Sequence, residues 1–428
     1  MPMNKFRVAP KIALLALVTL GALLSSFLMY LAIHGRNSAR SANGRREHVT
    51  ETYKPFAADI DDWTLSCSNL RLCTVSSVDE NGEHGGFIEI VREAGPTGTI
   101  GVTVSEWRKD GWPDISNPKL DGALLPEKFS WRRDTDRNRF RLDGGQALTF
   151  VRAIARGTIL SFGRKRTEFS VSMIGLHKAL IQMDSTQHRA STTTAIAQAG
   201  ALPAAAVPLP PAAPILQAFP QQPPLAHGHH FASAVRQAEA SILQARECET
   251  DMREDHWDEA YTLDEKSNLV ILGCFMAPYQ GSQLVFIAPK ADPRSAKLLV
   301  LPMGAVDPHD CPNFAGELVN AEWDPKASTL KSETLGRGIA DCGEDLSWVY
   351  VGDGRWELSE QRLMGRCGGG IWPWPQVYKA TVITSGPSAD HVDARRFFSG
   401  PAQSRHSRLR AGRRRPLQDA GSRMRDQR

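Results

Sequence analysis

The sequence predicts a mainly β, α+β protein in which an N-terminal transmembrane helix precedes two β-rich units joined by an Ala/Pro-rich linker. Three observations predict it: an uncharged apolar run from Ile12 to Ile33, β-branched and aromatic segments on both sides of the chain's middle, and an alanine- and proline-rich stretch between them. The predicted divisions are the anchor with its basic flanks at 1–46, the first unit at 52–190, the linker at 191–230, the second unit at 231–384, and a disordered Arg-rich tail at 385–428.

The apolar run is long enough to cross a bilayer as a helix. Its 22 residues, at a rise of about 1.5 Å each, span roughly the 30 Å hydrocarbon core. A secretory signal has a shorter apolar core of about 7–15 residues, and a cut after Ser41 would fall well beyond this run. We therefore expect an uncleaved anchor. Three basic residues precede the run and four follow it closely, so the flanking charges leave its orientation open.

The first unit is expected to be mostly β, as a sandwich or a strongly curved sheet. Turn residues separate its short β-branched and aromatic segments at strand-and-turn spacing. The strand candidates are Phe87–Val91, Ile100–Val104, Ala147–Val151 and Thr158–Phe162, and one helix is predicted over Gly175–Met183.

The linker and the second unit follow. Ala195–Pro224 is rich in proline, which fixes φ and removes backbone donors, so an extended, semi-rigid segment is expected. A helix is predicted over Ala232–Arg246, and Gly352-Asp353-Gly354 indicates a hairpin. The strand candidates of this unit are Leu269–Leu272, Leu284–Ile287, Leu298–Leu301, Trp348–Val351 and Val377–Val382.

The charge is divided unevenly along the chain. Residues 1–46 carry seven Lys or Arg and no acid, and residues 390–428 carry eleven Arg against four Asp. Because the whole chain is only +4, the body between these ends is acidic, at −10. The basic ends thus give no argument for a nucleic-acid partner, and the first is better suited to anionic lipid headgroups.

Seven cysteines lie in the body, two in the first unit and five in the second. No two of them form a Cys-x-x-Cys pair, which argues against a zinc ribbon or a thioredoxin-type site. In an oxidising compartment they would pair within each unit, with at least one thiol left over. The residues alone leave the pairing open.

The order of several motifs resembles a known family. Trp63-x3-Cys67-x-Asn69-x3-Cys73, Arg92–Pro96, Gly336–Gly343 and Trp374-Pro375-x-Val377 follow one another along the chain. Together they resemble domain-of-unknown-function family 1176 over about residues 60–383. The first half is also similar to the invasion-associated locus B family of envelope proteins.

The resemblance implies an exported protein of a Gram-negative bacterium and carries over no catalytic residue. By position it implies three disulfides and one odd thiol. The implied pairs are Cys67–Cys73, Cys342–Cys367 and Cys248–Cys274, and the odd thiol is Cys311. A body with disulfides lies outside the cytoplasm, which would leave the amino terminus inside it.

Three segments that contain glycine or histidine are candidate sites. Gly336–Gly343 suits either an anion or ligand contact or a tight turn that presents Cys342 for its bridge, and the turn is the preferred interpretation. His227, His229 and His230 suit zinc or copper, as does the later His309-Asp310-Cys311 segment. The three histidines lie at the linker's edge, where solvated polar residues are common, so no metal site is assigned.

Two further segments have a functional and a structural interpretation. His256 lies among acids at 254–259, which suits general acid–base chemistry or a charged surface turn. Trp372 and Trp374 suit either an exposed aromatic platform or core packing beside a bridge, and core packing is preferred. Neither a phosphate loop, nor a nucleophile elbow, nor a His-Glu-x-x-His helix is present.

These observations predict a single-pass protein of the bacterial inner membrane with its body facing the periplasm. It is expected to be a non-enzymatic binding or interaction module, whose partners are the membrane, through Ile12–Ile33, and an envelope protein or glycan. No catalytic residue, cofactor or nucleic-acid partner is assigned. The alternatives are a hydrolase-like envelope enzyme that uses His256 or His309 with nearby acids, and redox handling by Cys311.

Overall fold

The computed structural model describes residues 53–79, 82, 85–106, 112–134, 139–249, 258–306, 316–368 and 373–384. The anchor at Ile12–Ile33, the tail at 385–428, and His256, His309 and Cys311 lie outside these residues. Within the described ranges, no helix combines the length and the apolarity needed to cross a membrane.

Antiparallel strands build the first half. The larger sheet has seven strands in the order β1 (Phe56–Ile60), β2 (Trp63–Cys67), β3 (Cys73–Ser77), β4 (Gly86–Arg92), β5 (Ile100–Glu106), β9 (Arg139–Asp143) and β8 (Arg132–Asp134). The smaller sheet has four, in the order β11 (Phe169–Ser172), β10 (Ile159–Phe162), β6 (Lys119–Leu120) and β7 (Ala123–Leu124).

Two helices share the core of this half with the sheets: α1 (Gly144–Ile154) and α2 (Leu176–Thr186). The prediction of α2 is confirmed, whereas the strand predicted at Ala147–Val151 is wrong because α1 covers it. Its buried residues Ala147, Phe150, Val151 and Ile154 recur at helical spacing. A window of five residues is too short to show that period.

The chain leaves α2 through a loop that buried charges hold in place. Asp184 is fully buried and accepts hydrogen bonds from the backbone N–H groups of Ile196 (2.9 Å), Ala197 (2.7 Å) and Gln198 (3.1 Å). Arg189, also fully buried, donates to the carbonyl oxygens of Glu93 and Gly95, to Gln187 and to Thr194. These bonds fix the start of the Ala/Pro-rich segment against the first half.

The second half contains two larger sheets. One has β13 (Glu259–Thr262), β14 (Ser267–Met276), β15 (Gly281–Pro289) and β16 (Lys297–Leu298), and β17 (Glu317–Val319) also pairs with β15. The other has β18 (Glu322–Asp324), β19 (Thr329–Leu335), β20 (Gly343–Gly352), β21 (Arg355–Met364) and β22 (Gln376–Lys379). The predicted hairpin at 352–354 joins β20 to β21 and is confirmed.

The first of these sheets is buried on both faces. Leu269 and Ile271 of β14 pack with residues of the β18–β22 sheet, whereas Val270 and Leu272 pack with the helices α3 (Gly228–Ala238) and α4 (Ala240–Ala245). Successive residues of a strand point to opposite faces, so burial of both faces explains this uninterrupted apolar run. The second half is therefore a stack of helices, sheet and sheet.

Three predictions for the second half need correction. The strand expected over Val377–Val382 is interrupted at Ala380 into β22 and β23 (Thr381–Ile383), which belong to different sheets. The helix expected over Ala232–Arg246 begins earlier, at Gly228, and is broken at Glu239 into α3 and α4, because Glu239 leaves the helical conformation. The strand expected at Leu298–Leu301 is limited to β16. Just beyond the predicted strand, the Pro302 carbonyl oxygen accepts a hydrogen bond from the indole N–H of Trp348 (2.9 Å), which is a side-chain donor and not a strand backbone.

The end of the Ala/Pro-rich segment is tied to the second half. Strand β12 (Ile215–Gln217) pairs in parallel with β23 (Thr381–Ile383). Directly after it, the Phe219 N–H donates to the Tyr350 carbonyl oxygen (2.8 Å). The segment therefore has fixed contacts at both of its ends.

Candidate functional site

Three disulfides join the described cysteines in the implied pairs: Cys67–Cys73, Cys248–Cys274 and Cys342–Cys367. The first links residues directly opposite each other on β2 and β3. The second ties the chain just after α4 to β14, and the third ties the start of β20 to the segment after β21. Each half is thus cross-linked within itself.

We expect a mass map of the non-reduced, full-length protein isolated from membranes to show these three pairs. Alkylation without a reductant should label one thiol per chain, at Cys311, because the other six cysteines are in disulfides. Labelling of all seven cysteines, or a bridge that includes Cys311, would contradict the pairing.

The segment Gly336–Gly343 is a tight turn that presents Cys342 for its bridge, as predicted. The Gly336 N–H donates to the Cys342 carbonyl oxygen (2.9 Å), and a Cβ at Gly336 would lie 2.5 Å from the Cys342 sulfur. Arg337 donates two hydrogen bonds to the buried Asp341 carboxylate, which also accepts from the Gly368 N–H (3.0 Å). The turn is therefore rigid and internally satisfied.

Four exposed apolar side chains, which we call the hairpin-tip patch, lie at the end of the β14–β15 hairpin and in this turn: Phe275, Met276 and Tyr279 of the hairpin and Ile339 of the turn. The exposed fractions of the four are 49%, 37%, 47% and 62%, respectively. Phe275 and Met276 are successive residues of β14 and so point to opposite faces of the hairpin. A Cβ at Gly338 would lie 3.1 Å from the Tyr279 ring, so that ring rests on the backbone of the turn. Clustered exposed apolar groups of this kind mark interaction surfaces.

The hairpin is also fastened to the sheet behind it. The Gln280 side-chain oxygen accepts from the Leu335 N–H (2.9 Å), and the Asn320 side-chain oxygen accepts from the Gly281 N–H (3.1 Å). These contacts fix the backbone of the hairpin beside Tyr279. A preformed surface of this kind loses little conformational entropy when a partner binds.

A separate groove of about 440 Å³ brings two predicted candidate segments together. His227 and His229 line it from the start of α3, and Glu259 and Tyr261 line it from β13. The Tyr261 hydroxyl donates to the Glu259 carboxylate. Burial and this bond raise the pKa of Tyr261. His227 and His229 are therefore neighbours of Glu259, the last residue of the predicted acidic segment, although they are distant from it in the sequence.

Within the described ranges, potential metal ligands are gathered at one place. Asp341, Cys342 and Cys367 bring their ligand atoms within 4.8 Å of one another. Both sulfurs belong to the disulfide, and the carboxylate is bound by Arg337 and Gly368. In this oxidised form the cluster is a structural junction.

A second groove, of about 480 Å³, crosses the charged face of the β18–β22 sheet. One of its acids, Glu360, is balanced by neighbouring cations, because it lies 2.8 Å from Arg362 and 2.5 Å from Lys379. Burial raises the pKa of Glu360, but the bonds from Lys379 and Gln376 and the charge of Arg362 outweigh it, so the net shift is downward. Glu360 is thus held ionised by its own neighbours.

Comparison with known proteins identifies the family. The profile described as "Protein of unknown function (DUF1176)" matches residues 57–381. The chain belongs to this family. One relative is "Uncharacterized protein YpfG" of Escherichia coli (strain K12). The two sequences are 23% identical over 352 residues, which cover 77% of this chain and 93% of that protein. No solved structure matches the chain.

The resemblance to DUF1176 proteins drawn from the motifs is thus confirmed. The similarity of the first half to the invasion-associated locus B family stays a prediction, because neither match bears on it. The domain divisions also stay predictions.

The motifs that resemble DUF1176 meet where the two halves join. Asn69, between Cys67 and Cys73, donates through its side chain to the Lys379 carbonyl oxygen (2.9 Å) and accepts from the Lys379 N–H (2.9 Å). Trp374 is fully buried in a cluster with Val78, Cys342 and Met364, which confirms core packing for this tryptophan. The motifs therefore serve a structural junction.

Sequence reasoning missed the hairpin-tip patch and the buried Asp184–Arg189 loop. Phe275 and Met276 read as the continuation of an apolar strand, and their exposure follows from the hairpin ending beyond the sheet. In the sequence, Asp184 is recognisable only as a residue at the end of a predicted helix, followed by a turn-rich segment. That pattern gives no indication that a carboxylate would be buried.

Proposed function

We propose that this protein is a membrane-anchored binding module of the bacterial cell envelope, whose body lies in the periplasm and binds an apolar surface of another envelope protein. The observation that carries the proposal is the hairpin-tip patch, which exposes four large apolar side chains on a rigid support. Aromatic residues and methionine are enriched where proteins meet.

The location rests on separate support. Disulfides persist in oxidising compartments, and the three bridges of this chain agree with a body outside the cytoplasm. The apolar run Ile12–Ile33 has the length and composition of a membrane anchor. The disulfide map described above tests this part of the proposal, since seven free thiols would contradict it.

A protein partner suits the patch better than a glycan does. Ile339 and Met276 offer aliphatic surface without hydrogen-bonding groups, and such surface is stabilised by burial against other apolar groups. A sugar chain would instead need polar contacts around an aromatic platform. Of the two candidate platform residues, Trp374 is fully buried, and Trp372 lies outside the described residues.

The test compares two matched variants of the full-length protein. One replaces Phe275, Tyr279 and Ile339 with serine, and the other replaces Leu124, Ile174 and Leu209, which are exposed by 62%, 49% and 77%. We expect proteins captured from detergent-solubilised envelope to be reduced about tenfold or more for the first variant only, because burying a large apolar side chain contributes about 1.5–3 kcal/mol. Equal capture by both variants would overturn the proposal.

A further inference from the structure

The three bridges differ in how far their cysteines are exposed. Of the six bridged cysteines that the structure describes, five are buried: Cys67, Cys73, Cys248, Cys274 and Cys342. The sixth, Cys367, is partly exposed and packs at the edge of the buried cluster around Trp374. We propose that the Cys342–Cys367 bridge is the site at which a dithiol reduces this protein, and that its opening loosens the junction between the two halves.

Access to sulfur decides which bridge reacts first. A dithiol opens a disulfide when its thiolate attacks one of the two sulfurs, and the rate depends on access to that sulfur. Access favours attack at Cys367, because Cys342 is only 2% exposed. Both cysteines of each other bridge are buried, so exchange at those bridges requires a local opening of the fold.

The reaction consumes one dithiol for each bridge. Its first thiolate bonds to the Cys367 sulfur, the bond between the two cysteines breaks, and the electron pair stays on the Cys342 sulfur, which takes up a proton. The second thiolate of the dithiol then attacks the mixed disulfide, and Cys367 leaves and is protonated in turn. The dithiol ends as a disulfide, and both cysteines end as thiols.

The charges beside the bridge permit this attack. The Asp341 carboxylate lies within 4.8 Å of both sulfurs, and an uncompensated anion there would repel a thiolate. Arg337 compensates it, because its guanidinium donates two hydrogen bonds to this carboxylate. The Arg337 side chain is 43% exposed and that of Asp341 only 5%. A thiolate that approaches from solvent therefore meets the cation of this pair, and a neighbouring cation favours the thiolate form.

The bridge holds a segment that contacts the first half. On one side of Cys367, the Gly368 carbonyl oxygen accepts a hydrogen bond from the Asp79 N–H (2.7 Å). On the other side, the Arg366 side chain donates to the Asp61 carbonyl oxygen (2.8 Å). Once the bridge is open, only non-covalent contacts position this segment. Its bonds to the first half are therefore expected to open more often.

The Cys248–Cys274 bridge provides a matched comparison. It joins residues 26 apart in the sequence, against 25 for Cys342–Cys367. Two loops of such similar length constrain the unfolded chain to nearly the same extent. The Cys248–Cys274 bridge packs among residues of α3, α4 and the β13–β15 strands, all in the second half. Its removal should therefore leave the junction unchanged.

The first test reduces the full-length protein with limiting dithiothreitol and follows the cysteines by timed alkylation and mass mapping. We expect Cys342 and Cys367 to be labelled about tenfold or more faster than the four other bridged cysteines, because access limits exchange. Reduced thioredoxin replaces dithiothreitol in a second arm and shows whether a protein dithiol or a small one is the better donor. Earlier or equal opening of another bridge, with either donor, would overturn the proposal.

The second test measures hydrogen exchange at the Asp79 amide in two double variants of the full-length protein. We expect exchange to be about tenfold or more faster in Cys342→Ser/Cys367→Ser and unchanged in Cys248→Ser/Cys274→Ser. Wild-type protein reduced as in the first test gives the same comparison without a substitution. No acceleration, or the same acceleration in both variants, would overturn the link to the junction. Both tests are independent of partner capture by the hairpin-tip patch.

Discussion

Replacing Asp184 with alanine is expected to lower the free energy of unfolding by about 3–5 kcal/mol, because a buried charge network loses its acceptor. The carboxylate accepts hydrogen bonds from three backbone N–H groups of the loop after α2, and all three would lose this acceptor in the alanine variant. Its charge also favours the ionised forms of the buried arginines Arg92 and Arg189. Urea unfolding followed by tryptophan fluorescence measures the change.

The matched control for this variant is Asp292→Ala. Asp292 also accepts a backbone N–H bond, from Arg294 (3.2 Å), but it lies on the surface at the start of a short 3₁₀ helix. Water replaces a surface acceptor, so the unfolding midpoint should change little. Equal shifts in the two variants would show that burial of Asp184 contributes nothing.

Replacing Trp374 with alanine is expected to cost about 3–5 kcal/mol, the usual range for emptying a buried aromatic site. The indole is fully buried where the two halves meet, among Val78, Cys342 and Met364. It also fills the space above Gly343, where a Cβ would lie 2.4 Å from the ring. Hydrogen exchange in β22 and in the Cys67–Cys73 loop should accelerate, because the junction loosens.

Trp374→Phe separates the volume of this side chain from its polarity. The indole N–H is buried without a hydrogen-bond partner among the described residues, so removing it sacrifices no bond. Phenylalanine retains most of the apolar contact, and we expect a smaller loss of stability than for alanine. A loss as large as that of Trp374→Ala would contradict the cavity argument.

Strands of the core were predictable because their pattern is local. The run Leu269–Leu272 is continuous in apolar residues, and the structure buries both faces of β14 as such a run implies. The hairpin at Gly352-Asp353-Gly354 was also predictable from adjacent residues. By contrast, α1 was missed because Ala147–Val151 contains β-branched and aromatic residues within a short window, and the helical period of its buried residues becomes visible only when Ile154 is included.

The candidate surfaces were less predictable than the fold. The histidines were visible at once, but their neighbours Glu259 and Tyr261 come from a strand that follows more than 25 residues later. Ile339 lies some 60 residues from Tyr279, and the two form one patch only because the glycine turn packs on the hairpin. Such proximity depends on topology, which short-range periodicity does not encode.

By itself, the sequence determined the β-rich class, the acidic body between basic ends and, through its family resemblance, the three cysteine pairs. The apolar run at Ile12–Ile33 predicts a membrane anchor from composition alone. Only the tertiary structure decided that Asp184 and Arg189 are buried, that Asn69 and Trp374 join the halves, and that four apolar side chains gather at a hairpin tip. The physical reason is that composition and period are properties of adjacent residues, whereas burial and contact arise between residues brought together from distant parts of the chain.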